Sequence, residues 1–130
     1  MRVVPEAIQE EFARLPSDMA FWNARYAEAY RRWLEAKQER ETMHGRRYQE
    51  LRDQLLAAGH AERGIVADTE RSLEIDDVLA VAVAAEIDAE VRKVRLWGVL
   101  DALRTKRDML VSLGAHMRAE MGSGLNEGDR

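Results

Sequence analysis

The chain has 130 residues, 46% of them hydrophobic and 34% charged, with 2 Pro, 8 Gly and no Cys. That length suits one small domain, and a composition so poor in helix breakers favours long helices over a strand-and-turn fold. The lack of cysteine excludes disulfides, thiolate zinc sites and cysteine nucleophiles together; the net charge of −4, from 20 Lys+Arg and 24 Asp+Glu, argues against a uniformly basic nucleic-acid binder.

The start, Met1-Arg2-Val3-Val4-Pro5-Glu6, carries acid at once and has no apolar core of signal-peptide length. No stretch approaches the roughly 20 uncharged residues of a membrane span. A cytoplasmic helical protein is expected. Pro5 suits a first helical turn and Pro16 a stop, which predicts a short helix over 6–14. Ser17-Asp18 then caps a long helix over 17–58, whose apolar stripe is Trp22, Tyr26, Tyr30, Trp33, Tyr48, Leu51 and Leu55. Between Leu34 and Tyr48 the stripe almost vanishes, leaving Ala36 and Met43, and Gly45 there permits a bend. Gly59 is placed to end the helix.

Residues 59–73, with Gly64 among them, read as a connecting loop. Asp76-Asp77 offers the N-cap of a second long helix over 76–121, with the stripe Ile87, Val91, Val94, Leu96, Leu100, Leu103, Leu110, Met117 and Met121. Arg107 and Gly114 occupy the missing steps of that seam. Residues 78–83 alternate like a strand but have no partner strand, so they join the helix. The Gly-, Ser- and acid-rich residues 122–130 are expected to be a disordered tail, leaving 1–121 as a single helical domain.

A helix of about 40 residues is roughly 60 Å long, and two laid antiparallel enclose little interior. The expected fold is therefore all-α: two long helices forming an elongated antiparallel hairpin plus a short N-terminal helix, assembled as a homo-oligomer that covers the remaining apolar stripes. Leu96, Leu100, Leu103, Leu110 and Met117 are the expected oligomerisation residues.

Cut by segment, the charge is strongly patterned: residues 30–52 sum to +3, residues 68–90 to −7 and residues 91–108 to +4. Such segregation fits a polyanion groove, pairing of basic and acidic segments between subunits, or simply the wet faces of long helices. His44, His60 and His116 lack metal-ligand spacing, the 59–64 stretch lacks the Gly-Lys-Ser/Thr ending of a phosphate loop, and the few Ser and Thr form no nucleophile–base arrangement. No catalytic, metal or cofactor site is expected, and no enzyme activity. Five of the eight aromatic residues lie between Phe21 and Trp33, spaced as a packing seam, whereas Tyr48 stands beside Arg46 and Arg47 and is better placed to stack a base. The candidate single-stranded DNA contacts are Arg40, Arg46, Arg47, Tyr48 and Arg52.

Three elements also resemble those of the UvsY-type phage recombination mediators. Tyr30-Arg31-Arg32-Trp33-Leu34 is similar to that family's early Tyr-x-basic-Trp-Leu element. Leu73-Glu74-Ile75-Asp76 resembles the Leu-x-x-Asp start of its later helix. Ala102-Leu103-Arg104-Thr105-Lys106 is similar to the aliphatic–basic–Ser/Thr–basic element that follows at about the same separation. Together they span residues 30–106. The resemblance implies a non-enzymatic homo-oligomer, a hexamer or heptamer ring, that binds single-stranded DNA and helps a phage recombinase assemble on strands covered by single-strand-binding protein in the host cytoplasm. In that family a basic pair near the end of the first long helix contributes to DNA binding; here the region offers Arg46, Arg47 and Arg52, with Glu50 and Asp53 among them. The rival expectation is a helical scaffold or adaptor without nucleic-acid binding; a small double-strand binder is a further one.

Overall fold

A computed structural model describes the backbone of residues 5–128 and the side chains of residues 6–122. The described residues form three α-helices, α1 Pro5–Ala57, α2 Ile65–Glu74 and α3 Asp77–Gly128, with no strand among them. None of these helices is long and apolar enough to cross a membrane. Their contacts fall into two compact units, one of Met1–Tyr26 and Arg95–Arg130, the other of Ala27–Val94.

The helix boundaries correct the sequence expectation in three places. First, α1 does not stop at Pro16; the proline lies inside it, so the expected helices 6–14 and 17–58 are one. Pro16 has no N–H to offer the carbonyl of Phe12, yet the packing of the turns before it against α3 holds the helical path. Ile8 and Leu15 are buried with Leu110 of α3, and Phe12, Leu103 and Met117 pack against them. Pro16 itself is exposed, so Pro16→Ala sacrifices no packing. It is expected to raise stability by about 2 kcal/mol, read as a higher denaturant midpoint at unchanged slope.

Second, the expected loop 59–73 contains α2. Ile65, Thr69 and Leu73, four residues apart, are its buried line, and the charges between them conceal it in the sequence. Thr69 is fully buried and donates its hydroxyl to the Ile65 carbonyl at 2.6 Å, leaving its methyl for the apolar contact. Third, α3 continues through 122–128, where nothing blocks a helix sterically, so the expected tail is helical there; residues 129–130 lie outside the described residues.

Two glycines shape the turn between α1 and α2. Gly59 has φ 97°, and the His60 N–H reaches the Leu55 carbonyl at 3.0 Å while the Gly59 N–H reaches Leu56 at 3.1 Å. That is the double-bonded helix terminus that needs a left-handed residue, and glycine adopts it without a Cβ clash. Gly64, φ 85°, re-aims the chain into α2. Asp76 then caps α3, its Oδ2 accepting the Leu79 N–H at 3.0 Å.

The buried and half-buried line of α1 runs Leu15, Met19, Trp22, Tyr26, Ala29, Trp33, Ala36, Arg40, Met43, Arg47, with gaps alternating between four and three. On α3 the same alternation links Leu79, Ala82, Glu86, Ala89, Lys93, Leu96, Leu100 and Leu103, then Leu110, Gly114 and Met117. This is the 3.5-residue spacing that lets long helices keep one face inward. Charged residues hold several of those inward positions, and they decide the reading of the candidate site.

Candidate nucleic-acid interface

In the Ala27–Val94 unit, the stretch of α1 where the apolar stripe fades is a charge-paired part of the seam. Arg40 occupies an inward position and its Nε donates to Glu86 of α3, with Glu41 at 3.8 Å from its Nη2. Arg47, one seam step further, grips the Asp76 carboxylate with two bonds, Nε to Oδ2 at 3.0 Å and Nη2 to Oδ1 at 2.8 Å, and donates Nη1 to Glu50 at 2.6 Å. The side chains of Arg47 and Asp76 are only 17% and 8% exposed. The Arg47 hydrogen bonds hold the Asp76 carboxyl below the usual aspartate value; burial opposes this and the Leu79 N–H adds to it. The same bonds raise Arg47 further into its charged range.

Two of the expected DNA contacts, Arg40 and Arg47, are thus ion-paired with carboxylates of their own chain, as a partly buried guanidinium on the inward line of α1 requires. Outside that line the pattern continues: Arg31 bonds Glu28 and Glu35, and Arg32 bonds Glu28. Glu28 is accordingly lowered by its hydrogen bonds from Arg31 and Arg32. Of the remaining expected contacts, Arg46 is exposed while Tyr48 and Arg52 are half-buried, and neither Arg46 nor Arg52 is ion-paired among the described residues.

Two cations of this unit without carboxylate partners among the described residues, Lys37 and Lys93, sit on aromatic rings. The Lys93 ammonium lies 3.6 Å from the ring centre of Trp33 and 5.5 Å from that of Tyr30, and Lys37 lies 5.5 Å from Trp33. Tyr30 and Trp33 meet edge to face at 5.6 Å, with Tyr30 41% exposed. Trp33 also leaves its indole N–H buried with no acceptor among the described residues. In the sequence these aromatics read as a packing seam and the lysines only as part of the segment charges, because Lys93 lies sixty residues from Trp33 along the chain.

No family model, curated protein or solved structure matches the chain. The likeness to the recombination mediators therefore stands on the three short elements alone. Of these, the first contains Tyr30 and Trp33 and so forms part of the cation–aromatic cluster. The second contains Asp76, the N-cap and the partner of Arg47.

The expected oligomerisation residues contribute to the chain's own core. In the unit built from Met1–Tyr26 and Arg95–Arg130, Leu100 is 1% exposed and Leu110 is buried against Ile8 and Leu15. Leu103 and Met117 pack on that cluster and Leu96 is half-buried. Leu100 and Leu110 are covered by their own chain, whereas Leu96, Leu103 and Met117 are half-buried. In the same unit Lys106 pairs with Glu11, lowering Glu11. Arg104 lies 4.9 Å over Trp97 and Arg25 4.7 Å over Phe21. Among the described residues no group of three His, Asp or Glu side chains is placed to hold a metal ion. His60 approaches Asp68 at 3.4 Å and His116 approaches Glu120 at 3.1 Å.

Proposed function

We propose that this is a non-enzymatic, self-associating helical protein that binds single-stranded DNA and helps a recombinase load onto strands covered by single-strand-binding protein, in the cytoplasm of a host bacterium. The mediator role comes from the family resemblance. The observation that carries DNA binding is the pair Lys37 and Lys93, without carboxylate partners among the described residues and seated on the Tyr30–Trp33 rings. Cations beside aromatic faces are the means by which proteins hold single strands with little regard to sequence: bases stack on the rings and the cations meet phosphates. From the original set, Arg46, Tyr48 and Arg52 join the two lysines, with neither arginine ion-paired among the described residues, while Arg40 and Arg47 are ion-paired with Glu86 and Asp76. One copy then contributes only a few phosphate contacts. Several copies on one strand bind tightly through avidity and still release it segment by segment, as a handover requires.

The test is equilibrium binding of a labelled oligonucleotide by Lys37→Ala/Lys93→Ala at several salt concentrations. Affinity is expected to fall about tenfold, and the slope of log K against log salt to become shallower by about 1.4 per copy, since each phosphate contact to a single strand contributes about 0.7. Unchanged affinity and slope in the variant, or no binding by the parent chain, overturns the reading. The second reading, a scaffold or adaptor without nucleic acid, is favoured by the internal neutralisation of Arg31, Arg32, Arg40 and Arg47, and the same titration separates the two.

A further inference from the structure

In the Ala27–Val94 unit, α3 carries a second apolar line besides the inward one. Val83, Ile87, Val91 and Val94 follow at gaps of four, four and three, which places them on one helical face, and Ala80 and Ala84 fill the same face with small side chains. All are exposed; Ile87 is 54% and Val94 57% open. By periodicity alone, Ile87, Val91 and Val94 join one stripe with Leu96. The structure separates them, because the inward line before Leu96 passes through Lys93, Ala89 and Glu86. A contiguous β-branched face on the wet side of a helix marks a contact surface rather than a solvent surface.

We propose that this face docks on the same face of a second copy, the two α3 segments antiparallel about a two-fold axis between residues 90 and 91. The charges at its edge select that occupant. Asp88 and Arg92 both lie on one margin of the line, exposed, and neither is ion-paired among the described residues. In an antiparallel pair the same margins meet, so Asp88 of each copy falls within one residue, about 1.5 Å, of the level of Arg92 of the other. With that axis Ile87 packs on Val94 of the second copy and Val91 on its own counterpart. Glu90, on the opposite margin, then faces Glu90 of the second copy, a repulsion that keeps the contact reversible.

The inference rests on the self-association in the proposed function and is independent of its DNA binding. It is tested by mass in solution across a concentration series, using light scattering or sedimentation. Ile87→Lys/Val91→Glu is expected to weaken association at least about 100-fold, with the helical circular dichroism signal unchanged because both sites are exposed. Asp88→Arg alone is expected to weaken it about tenfold, Asp88→Arg/Arg92→Asp to restore it, and Glu90→Gln to tighten it. A chain that is monomeric throughout overturns both this contact and the self-association reading. An oligomer indifferent to Ile87→Lys/Val91→Glu, or a charge swap that fails to rescue, overturns the contact alone.

Discussion

Asp76→Ala is expected to lower the thermal midpoint by roughly 5–10 °C, because one carboxylate performs two tasks. Its Oδ2 caps the first turn of α3 through the Leu79 N–H, and both its oxygens hold Arg47 on the inward line of α1. Alanine leaves an orphan N–H and a partly buried guanidinium whose main partner is gone, and Glu50 alone remains to it. Asp76→Asn separates the tasks, since asparagine caps a helix about as well but carries no charge; its midpoint is expected between those of the parent and the alanine variant. The acid side supplies a sharper check. The folded pKa of Asp76 lies below the ordinary value of 3.8, owing first to the Arg47 hydrogen bonds. Its stabilisation is therefore full above that ordinary value and fades as pH falls through the lower, folded one. Glu11 and Glu28 are lowered in the same direction by Lys106 and by Arg31 with Arg32. The parent chain loses stability on acidification below the carboxylate range, and Asp76→Asn shows a visibly flatter loss. Equal acid slopes in the two proteins, followed by denaturant unfolding, contradict the pairing.

The helical class was legible because breakers are few and gaps of three and four recur, and Gly59 and Asp76 marked a helix end and start through chemistry local to each. What stayed hidden had a non-local cause. Pro16 terminates a helix in isolation, but Ile8, Phe12 and Leu15 pack against α3 residues about a hundred positions away. The buried line of α2 is only Ile65, Thr69 and Leu73, too short for a periodic signal. The seam itself was misread wherever it is charged. Arg40, Arg47, Glu86 and Lys93 count as surface on any hydropathy scale, and their inward role exists only once Arg40 meets Glu86, Arg47 meets Asp76 and Lys93 meets Trp33. The same limit bears on the candidate DNA contacts: excess positive charge in residues 30–52 was visible, while the pairing of Arg40 with Glu86 and of Arg47 with Asp76 was not. The +3 of residues 30–52 and the −7 of residues 68–90 belong to stretches that fold to satisfy each other, through Arg40 with Glu86 and Arg47 with Asp76.

Leu100→Ala is expected to cost about 3 kcal/mol, within the range for a leucine emptied from a closed interior, and to lower the midpoint by about 10 °C. At 1% exposure Leu100 has no solvent face to lose, whereas Met109→Ala, at a site 61% exposed, is expected to stay within about 0.5 kcal/mol. The contrast matters for assembly as well as for stability. If the line from Leu96 to Met117 joined separate copies, shortening Leu100 would shift the mass in solution and make the midpoint depend strongly on protein concentration. Burial of Leu100 and Leu110 within their own chain predicts a different result. The midpoint falls by the same amount at every concentration, and the oligomer distribution at temperatures well below it is that of the parent. Ile87→Lys/Val91→Glu is expected to behave in the opposite manner, altering the mass and sparing the helical signal. A Leu100→Ala chain that dissociates without losing intrinsic stability would return the Leu96–Met117 line to the subunit interface and remove it from the core.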